Sequence, residues 1–213
     1  MSAPLPDFLW ADSTQAPIET APQITRPDDG TPGEPGVWIF ILGDMSIFGA
    51  FFAVFLWENR GDRKLFAEST QDLFQSIGAI NTLVLLLSSY LVVLAVRAQR
   101  AGRTVLVGRL LLGTLACAAT FAALKAYEYS LELGNDHTPG TNVFFTFYFV
   151  LTGVHLIHVL IGACLVLAWR QRSQQERPWL TERSFAEGCA TYWHMVDLLW
   201  IVIFTLLYLV CVS

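Results

Sequence analysis

Residues 192–200 read YWHMVDLLW and place His194 and Asp197 three positions apart in an otherwise apolar segment that continues to Val212. A charged side chain in hydrocarbon costs about 2.5–3.5 kcal/mol on insertion scales, so such groups are retained there for a structural or functional reason. A second cluster, TGVHLIHV at residues 152–159, contributes His155 and His158 to another apolar run. Together the two clusters indicate a polar core inside a membrane protein.

The composition also indicates lipid as the solvent. Of the 213 residues, 54% are hydrophobic and 15% are charged, whereas soluble domains carry about 25% charged residues. The net charge of −5, with no basic patch, argues against nucleic-acid binding. The sequence contains no phosphate-binding glycine loop, HExxH, GxSxG or zinc spacing, which argues against an autonomous hydrolase or a nucleotide-driven enzyme.

Five apolar segments are long enough to cross about 30 Å of hydrocarbon as helices. Open sheets do not survive in lipid, so the sequence predicts an all-α fold, a polytopic bundle of five transmembrane helices. The segments are residues 37–57, 73–96, 105–131, 142–169 and 188–212. They form one domain, residues 35–213, and the Pro-, Asp- and Thr-rich residues 1–34 are predicted to be a flexible tail.

The basic residues predict the orientation of the bundle. Nine arginines fall on the side of the N-terminus, and three basic residues fall on the other side. Basic loops remain in the cytoplasm, so we predict a cytoplasmic N-terminus and an outer C-terminus. Position along each helix then gives depth. Four ionisable residues share the cytoplasmic half of the membrane: Asp44, His158, His194 and Asp197.

Lys125 and Glu128 fall nearer the outer face, three positions apart. We interpret them as an ion pair or a snorkelling pair near the surface, with Glu128 alternatively docking a partner subunit. Asp44 needs a partner or a proton, so it is either a structural hydrogen-bond group or a proton relay.

His155 and His158 are also three positions apart, so both can face one side of their helix. Three interpretations remain open for them. They are a hydrogen-bonded polar core that locks the fourth and fifth helices together, a protonation site, or ligands of a metal or haem with His194 opposite.

The polar motifs resemble subunit III of the haem–copper (cytochrome c) oxidase family in a short, five-helix form. The motifs that carry this resemblance are Gly43-Asp44-Met45 with Phe51-Phe52, KAYEY at 125–129, TGVHLIHV at 152–159 with Gly162, and YWHMVDLLW at 192–200. The GEPGVW run at residues 33–38 and the LGDM run at 42–45 are most similar to the NorE-type branch, which is associated with nitric oxide reductase systems.

The resemblance implies a non-catalytic integral subunit of a respiratory haem–copper oxidase or nitric oxide reductase system in a bacterial-type inner membrane. Such a subunit supports complex stability and proton uptake in aerobic or denitrifying electron transport. It implies no haem or copper on this chain, because these belong to partner subunits I and II or to nitric oxide reductase chains, and it implies contact with phospholipid. Asp44 then corresponds to an intramembrane acid that is usually Glu, and the polar core consists of His155, His158, His194 and Asp197.

Two rival interpretations follow from the same residues. One is a self-contained membrane cytochrome with His155 or His158 opposite His194 across a haem. The other is a small proton-linked transporter that uses the buried acids, although the sequence has no internal repeat of the kind typical of transporters.

Overall fold

The computed structural model describes residues 35–71, 73, 75–174 and 179–210, with the side chains of Pro35 and residues 179–183 left out. Six α-helices make up most of this part of the chain. They are α1 Pro35–Gly61, α2 Arg63–Gln71, α3 Gln75–Arg100, α4 Thr104–Gly134, α5 Val143–Ser173 and α6 Trp179–Phe204, which continues as a π-helical turn over Thr205–Leu209. The predicted tail and the last three residues lie outside the described residues.

Five of these helices, all but α2, are long and apolar enough to cross a membrane. The predicted all-α bundle of five membrane helices is therefore confirmed. The first four membrane helices extend beyond the predicted apolar segments at one or both ends, and α6 begins nine residues before the predicted 188. Helix-favouring polar residues such as Arg100 and Glu132 continue the backbone hydrogen bonding past the end of the apolar sequence.

The short helix α2 was not predicted, because its nine residues are too few and too polar to span a membrane. It packs one apolar residue inward. The ring of Phe66 lies 5.4 Å from that of Phe55 on α1 and 5.6 Å from that of Phe144 on α5. The Thr70 hydroxyl, which donates to the Phe66 carbonyl oxygen at 2.9 Å, also lies 3.4 Å from the carbonyl oxygen of Leu207 in the π-helical turn. This helix therefore closes one end of the bundle.

Helices α3 and α4 form a hairpin through Gly102, whose positive φ of 70° favours glycine. Helix α6 packs between α3 and α5, and α1 packs at the edge against α2, α5 and α6. Gly162 on α5 permits close approach to α6, because a Cβ there would lie 2.9 Å from the Trp193 ring.

Contacts between helix termini define the two ends of the bundle. At one end the beginning of α6 meets the end of α3, where Arg100 lies 2.9 Å from Glu187, and the end of α5 meets the beginning of α4, where Arg170 contacts Gly108. We call this the arginine-rich end. The other end contains α2, the α4–α5 loop and the π-helical turn, where Asn142 both caps α5 and donates to Ser69.

Candidate functional site

Asp44 on α1 and His158 on α5 meet between the two helices. The Nε2 atom of His158 lies 3.1 Å from Oδ1 of Asp44 and 2.9 Å from Oδ2, and the Oδ1 contact has hydrogen-bond geometry. Their side chains are 10% and 13% exposed, respectively. The sequence placed both residues in one half of the membrane but gave no evidence of contact, which the structure supplies.

The second ring nitrogen of His158, Nδ1, determines which atoms of this pair can carry a hydrogen. Nδ1 lies 2.8 Å from the carbonyl oxygen of Val154, which can only accept, so Nδ1 carries a hydrogen. A hydrogen bond between Nε2 and the Asp44 carboxyl then needs one further proton, held on either side. The pair is therefore a one-proton site that exists either as two neutral groups or as an ion pair.

Aromatic side chains enclose this site. The ring of Phe48, which is 1% exposed, lies edge-on to the imidazole of His158 with 5.4 Å between centroids. The Tyr192 hydroxyl donates to the His158 carbonyl oxygen at 3.4 Å. The contact between Asp44 and His158 is thus largely shielded from solvent where α1, α5 and α6 meet.

His155 faces a different part of the bundle from His158, which corrects the expectation that both project from one face. It is fully buried, with its ring 5.6 Å from Phe121 on α4 and 5.2 Å from Trp200 on α6. A three-residue step rotates a helix position by about 60°. That rotation is enough to direct one histidine toward α1 and the other toward α4 and α6. Neither ring nitrogen of His155 has a hydrogen-bond partner among the described residues.

His194 and Asp197 lie on the α3 side of α6. Nδ1 of His194 is 2.7 Å from the Ser89 hydroxyl, and Ser89 also lies beside the Asp197 carboxyl. Asp197 is 5% exposed, and neither oxygen has a hydrogen bond of full geometry among the described residues. The residues expected to form one polar core are thus divided among separate helix contacts.

Hydrogen bonds from tryptophans add to the contact between α3 and α6. The indole of Trp193 donates to the Ser88 hydroxyl at 3.0 Å, and that of Trp200 donates to Thr82 at 3.0 Å. With His194 and Ser89 they hold one face of α6 against α3 over two helical turns. These serine and threonine partners were not predicted, although their places inside an uncharged apolar segment were a usable signal.

Lys125 and Glu128 form the expected ion pair, but both side chains are fully buried, which corrects the expectation of a position near the surface. The ammonium donates to Glu128 Oε2 at 3.0 Å, to the Tyr208 hydroxyl at 3.1 Å and to the Tyr148 hydroxyl at 3.3 Å. Both tyrosine hydroxyls in turn donate to Glu128 Oε1. Every hydrogen of the ammonium therefore has an acceptor, and the carboxylate accepts three hydrogen bonds.

This network explains why a charged pair is stable inside the bundle. Besides the hydrogen bonds, the Lys125 ammonium lies 4.7 Å from the Tyr148 ring centroid and 5.3 Å from that of Trp200, within cation–π range. The pair is closed to outside molecules, so Glu128 does not present a carboxylate for partner docking. Tyr148 and Tyr208, on other helices, were the residues that the sequence analysis did not connect to this pair.

Two further contacts surround the network. The Thr152 hydroxyl donates to the Tyr148 carbonyl, so the 2.6 Å contact between Tyr129 and Thr152 has the tyrosine as donor. Toward the end of α4, the fully buried Glu132 lies 2.8 Å from Nδ1 of His137. The polar residues of α4 thus face the interior along more than one turn.

The histidines of the bundle lie in separate helix contacts. His155 is enclosed by the rings of Phe121 and Trp200. His158 uses both nitrogens, on Val154 and Asp44, and its site is separate from that of His194. Across the described residues, no three His, Cys, Asp or Glu side chains are grouped so that they could hold a metal ion.

Comparison with known proteins identifies relatives over the whole bundle. The family described as "Cytochrome c oxidase subunit III" matches residues 33–212. Cytochrome c oxidase subunit 3 of Thermostichus vulcanus is 33% identical over 176 residues, which cover 82% of this chain and 85% of that protein. A probable quinol oxidase subunit 3 of Staphylococcus haemolyticus is 28% identical over 193 residues, covering 87% and 92% of the two chains. The Synechocystis cytochrome c oxidase subunit 3 is 32% identical over 176 residues, covering 82% and 74%.

Proposed function

The chain belongs to the cytochrome c oxidase subunit III family, and from this we propose that it is a non-catalytic membrane subunit of a haem–copper oxidase. The observation that carries the proposal is the match over residues 33–212, which includes all five membrane helices and every polar contact described above. Its task is to stabilise the complex, and its partners are the redox-active chains of that complex.

The histidine contacts support the assignment of the redox centres to partner chains. His155 is closed off by aromatic rings, and His158 and His194 are engaged by Asp44 and Ser89. This chain would therefore bind neither haem nor copper. The partner chains that hold them correspond to subunits I and II.

The Asp44–His158 site supports a role in proton uptake. The pair shares one proton, and Asp44 lies nine residues from the start of α1, about 14 Å along the helix axis from the arginine-rich end. The positive-inside rule supports our proposal that this end faces the cytoplasm of a bacterial-type inner membrane, the side from which a respiratory complex takes protons. The pair would serve as a proton reservoir within reach of that side.

A cleft at the same end supports phospholipid binding. It has a volume of about 510 Å³ and lies between α1, α5 and α6, with apolar walls that include Phe40, Ile161 and Leu165 and with Arg172 among its lining residues. An apolar cleft with one cation suits acyl chains and a headgroup phosphate.

The relatives favour oxygen as the terminal acceptor. Those named above are subunits of cytochrome c or quinol oxidases, and this chain aligns with 74% to 92% of their length. A five-helix chain is therefore close to the length of oxidase subunits and does not by itself indicate the NorE-type branch. The GEPGVW and LGDM runs remain the features that favour that branch, with a nitric oxide reductase as the partner.

The partner can be identified by purifying the tagged chain in mild detergent from its native membranes and analysing the co-purifying chains by mass spectrometry. We expect haem–copper oxidase subunits I and II, which are absent when an unrelated tagged multi-pass protein is purified. Nitric oxide reductase chains would assign the chain to the other system. Recovery of neither set from membranes that contain both would contradict the proposed function.

The proton role is tested with Asp44→Asn in the assembled complex. Asn keeps the size of the side chain and can donate to His158 Nε2, but it cannot release a proton. We expect normal assembly with slower proton uptake or faster inactivation during turnover. Glu58→Gln, an exposed acid at the other end of α1, is the matched control and should change neither. Equal turnover and inactivation in wild type and Asp44→Asn would contradict a proton role.

A further inference from the structure

Two adjoining cavities lie at the arginine-rich end where α4 begins. One, of about 370 Å³, lies between the start of α4 and the end of α5, and the other, of about 360 Å³, follows the first turn of α4. Both are lined by Thr104, Val105 and Arg109. The first is also lined by Arg170 and the second by Arg103, so three arginines line the two cavities, which we call together the recess.

The positive charge of this recess is not compensated within the described residues. No Asp or Glu lines either cavity. None of Arg103, Arg109 and Arg170 forms an ion pair in the described part of the chain, whereas the nearby Arg100 is paired with Glu187. Three unpaired cations at the end of a membrane helix attract an anion.

The recess has donors held in place by the backbone. Nε of Arg170 donates to the carbonyl oxygen of Gly108 at 3.3 Å, which fixes this guanidinium against α4. Gly108 has no side chain, and a Cβ there would lie 2.9 Å from Nε2 of Gln174, so the glycine leaves room for this amide at the cavity. The side chain of Arg103 caps none of the first amides of α4. The positive end of the helix dipole therefore adds to the same recess.

Apolar side chains at its rim indicate what kind of anion fits. Val105 is 70% exposed, Leu112 is 54% exposed and Leu106 is 39% exposed. In a membrane these apolar surfaces contact acyl chains, whereas a free inorganic anion makes no favourable contact with them. We propose that this recess, which we call the α4–α5 site, binds the headgroup phosphate of an anionic glycerophospholipid, with the acyl chains along Val105 and Leu112. The site shares no lining residue with the α1–α5–α6 cleft, and all of its lining residues belong to this chain.

Lipid titration of the full-length chain tests the proposal. The protein in lipid-free mild detergent is titrated with dioleoylphosphatidylglycerol or dioleoylphosphatidylcholine, and bound lipid is counted by native mass spectrometry. We expect phosphatidylglycerol to bind more tightly than phosphatidylcholine. Arg109→Gln should weaken the binding of phosphatidylglycerol about fivefold, which is the effect of one basic residue near a lipid phosphate. The binding of phosphatidylcholine should not change.

Two variants separate this site from general electrostatic attraction. Arg97→Gln removes the same charge from an exposed position at the same end of the bundle but outside both cavities, and it should bind phosphatidylglycerol like wild type. Arg109→Lys keeps the charge and should retain most of the affinity. An equal loss in Arg97→Gln and Arg109→Gln, or equal affinity for the two lipids in wild type, would overturn the proposal. Displacement of phosphatidylglycerol by inorganic phosphate at the same concentration would overturn the proposal that the ligand is a lipid. It would show that the site binds free phosphate.

Discussion

Glu128→Gln is the substitution for which the structure gives the clearest energetic expectation. It keeps the shape of the side chain and a carbonyl acceptor for the tyrosine hydroxyls, but it removes the carboxylate that contacts the fully buried Lys125 ammonium. Removing one partner of a buried ion pair costs about 3–5 kcal/mol. We expect a loss of about 3 kcal/mol in the free energy of unfolding, the lower limit, because the Tyr148 and Tyr208 hydroxyls still contact the ammonium.

The double variant Lys125→Met with Glu128→Gln separates this explanation from simple loss of packing. It removes both charges, and replacing a buried pair by neutral groups of similar volume is often neutral or stabilising. We therefore expect the double variant to be more stable than Glu128→Gln, and the cycle completed with the single variant Lys125→Met should give a coupling energy of about 2 kcal/mol or more.

Reversible unfolding in mixed micelles with increasing dodecyl sulfate, followed by circular dichroism, measures these free energies. The exposed pair Lys64–Glu68, with 3.9 Å between its charged atoms, supplies the control, since Glu68→Gln should cause no resolvable change. Wild-type stability in Glu128→Gln, or additive losses in the double variant, would refute the reasoning.

Two other predictions concern helix packing and use the same unfolding assay. Gly162→Ala places a methyl group 2.9 Å from the buried Trp193 ring and should cost about 1–3 kcal/mol, whereas Gly43→Ala, where nothing lies within 4 Å, should be neutral; equal effects would show that α5 and α6 are not in close contact. Trp200→Phe removes the 3.0 Å hydrogen bond to Thr82 and should be coupled to Thr82→Val by about 0.6–1.7 kcal/mol; strict additivity of the two changes would show that the bond contributes nothing.

Hydrophobic length was sufficient to predict the fold class and the number of membrane helices. Lipid leaves helices as the solution for each isolated apolar segment, so this inference needed no knowledge of the contacts between helices. Helix α2 escaped prediction because its nine residues form a helix through tertiary packing of Phe66, which is 1% exposed, and hydropathy cannot report such a contact.

The site was harder to predict because sequence position gives the depth of a residue and not the direction it faces. Lys125 lies six residues before the end of the predicted apolar segment at residue 131, which suggested a position near the surface. Its burial depends on Tyr148 and Tyr208, which are 23 and 83 residues away along the chain. Likewise, the contact of His158 with Asp44 joins residues 114 positions apart, and periodicity within one helix cannot determine it.

The most direct test of a non-catalytic subunit is to measure which chains retain the haem absorption bands when this chain is separated from its complex. The complex is purified through a tag on this chain, its reduced-minus-oxidised spectrum and initial rate of oxygen reduction are recorded, and the chain is then removed with a stronger detergent. We predict that the haem bands and most of the initial rate stay with the partner chains, and that the isolated chain shows no Soret band. A Soret band that follows the isolated chain and disappears in His194→Ala would contradict the account and establish a cytochrome instead.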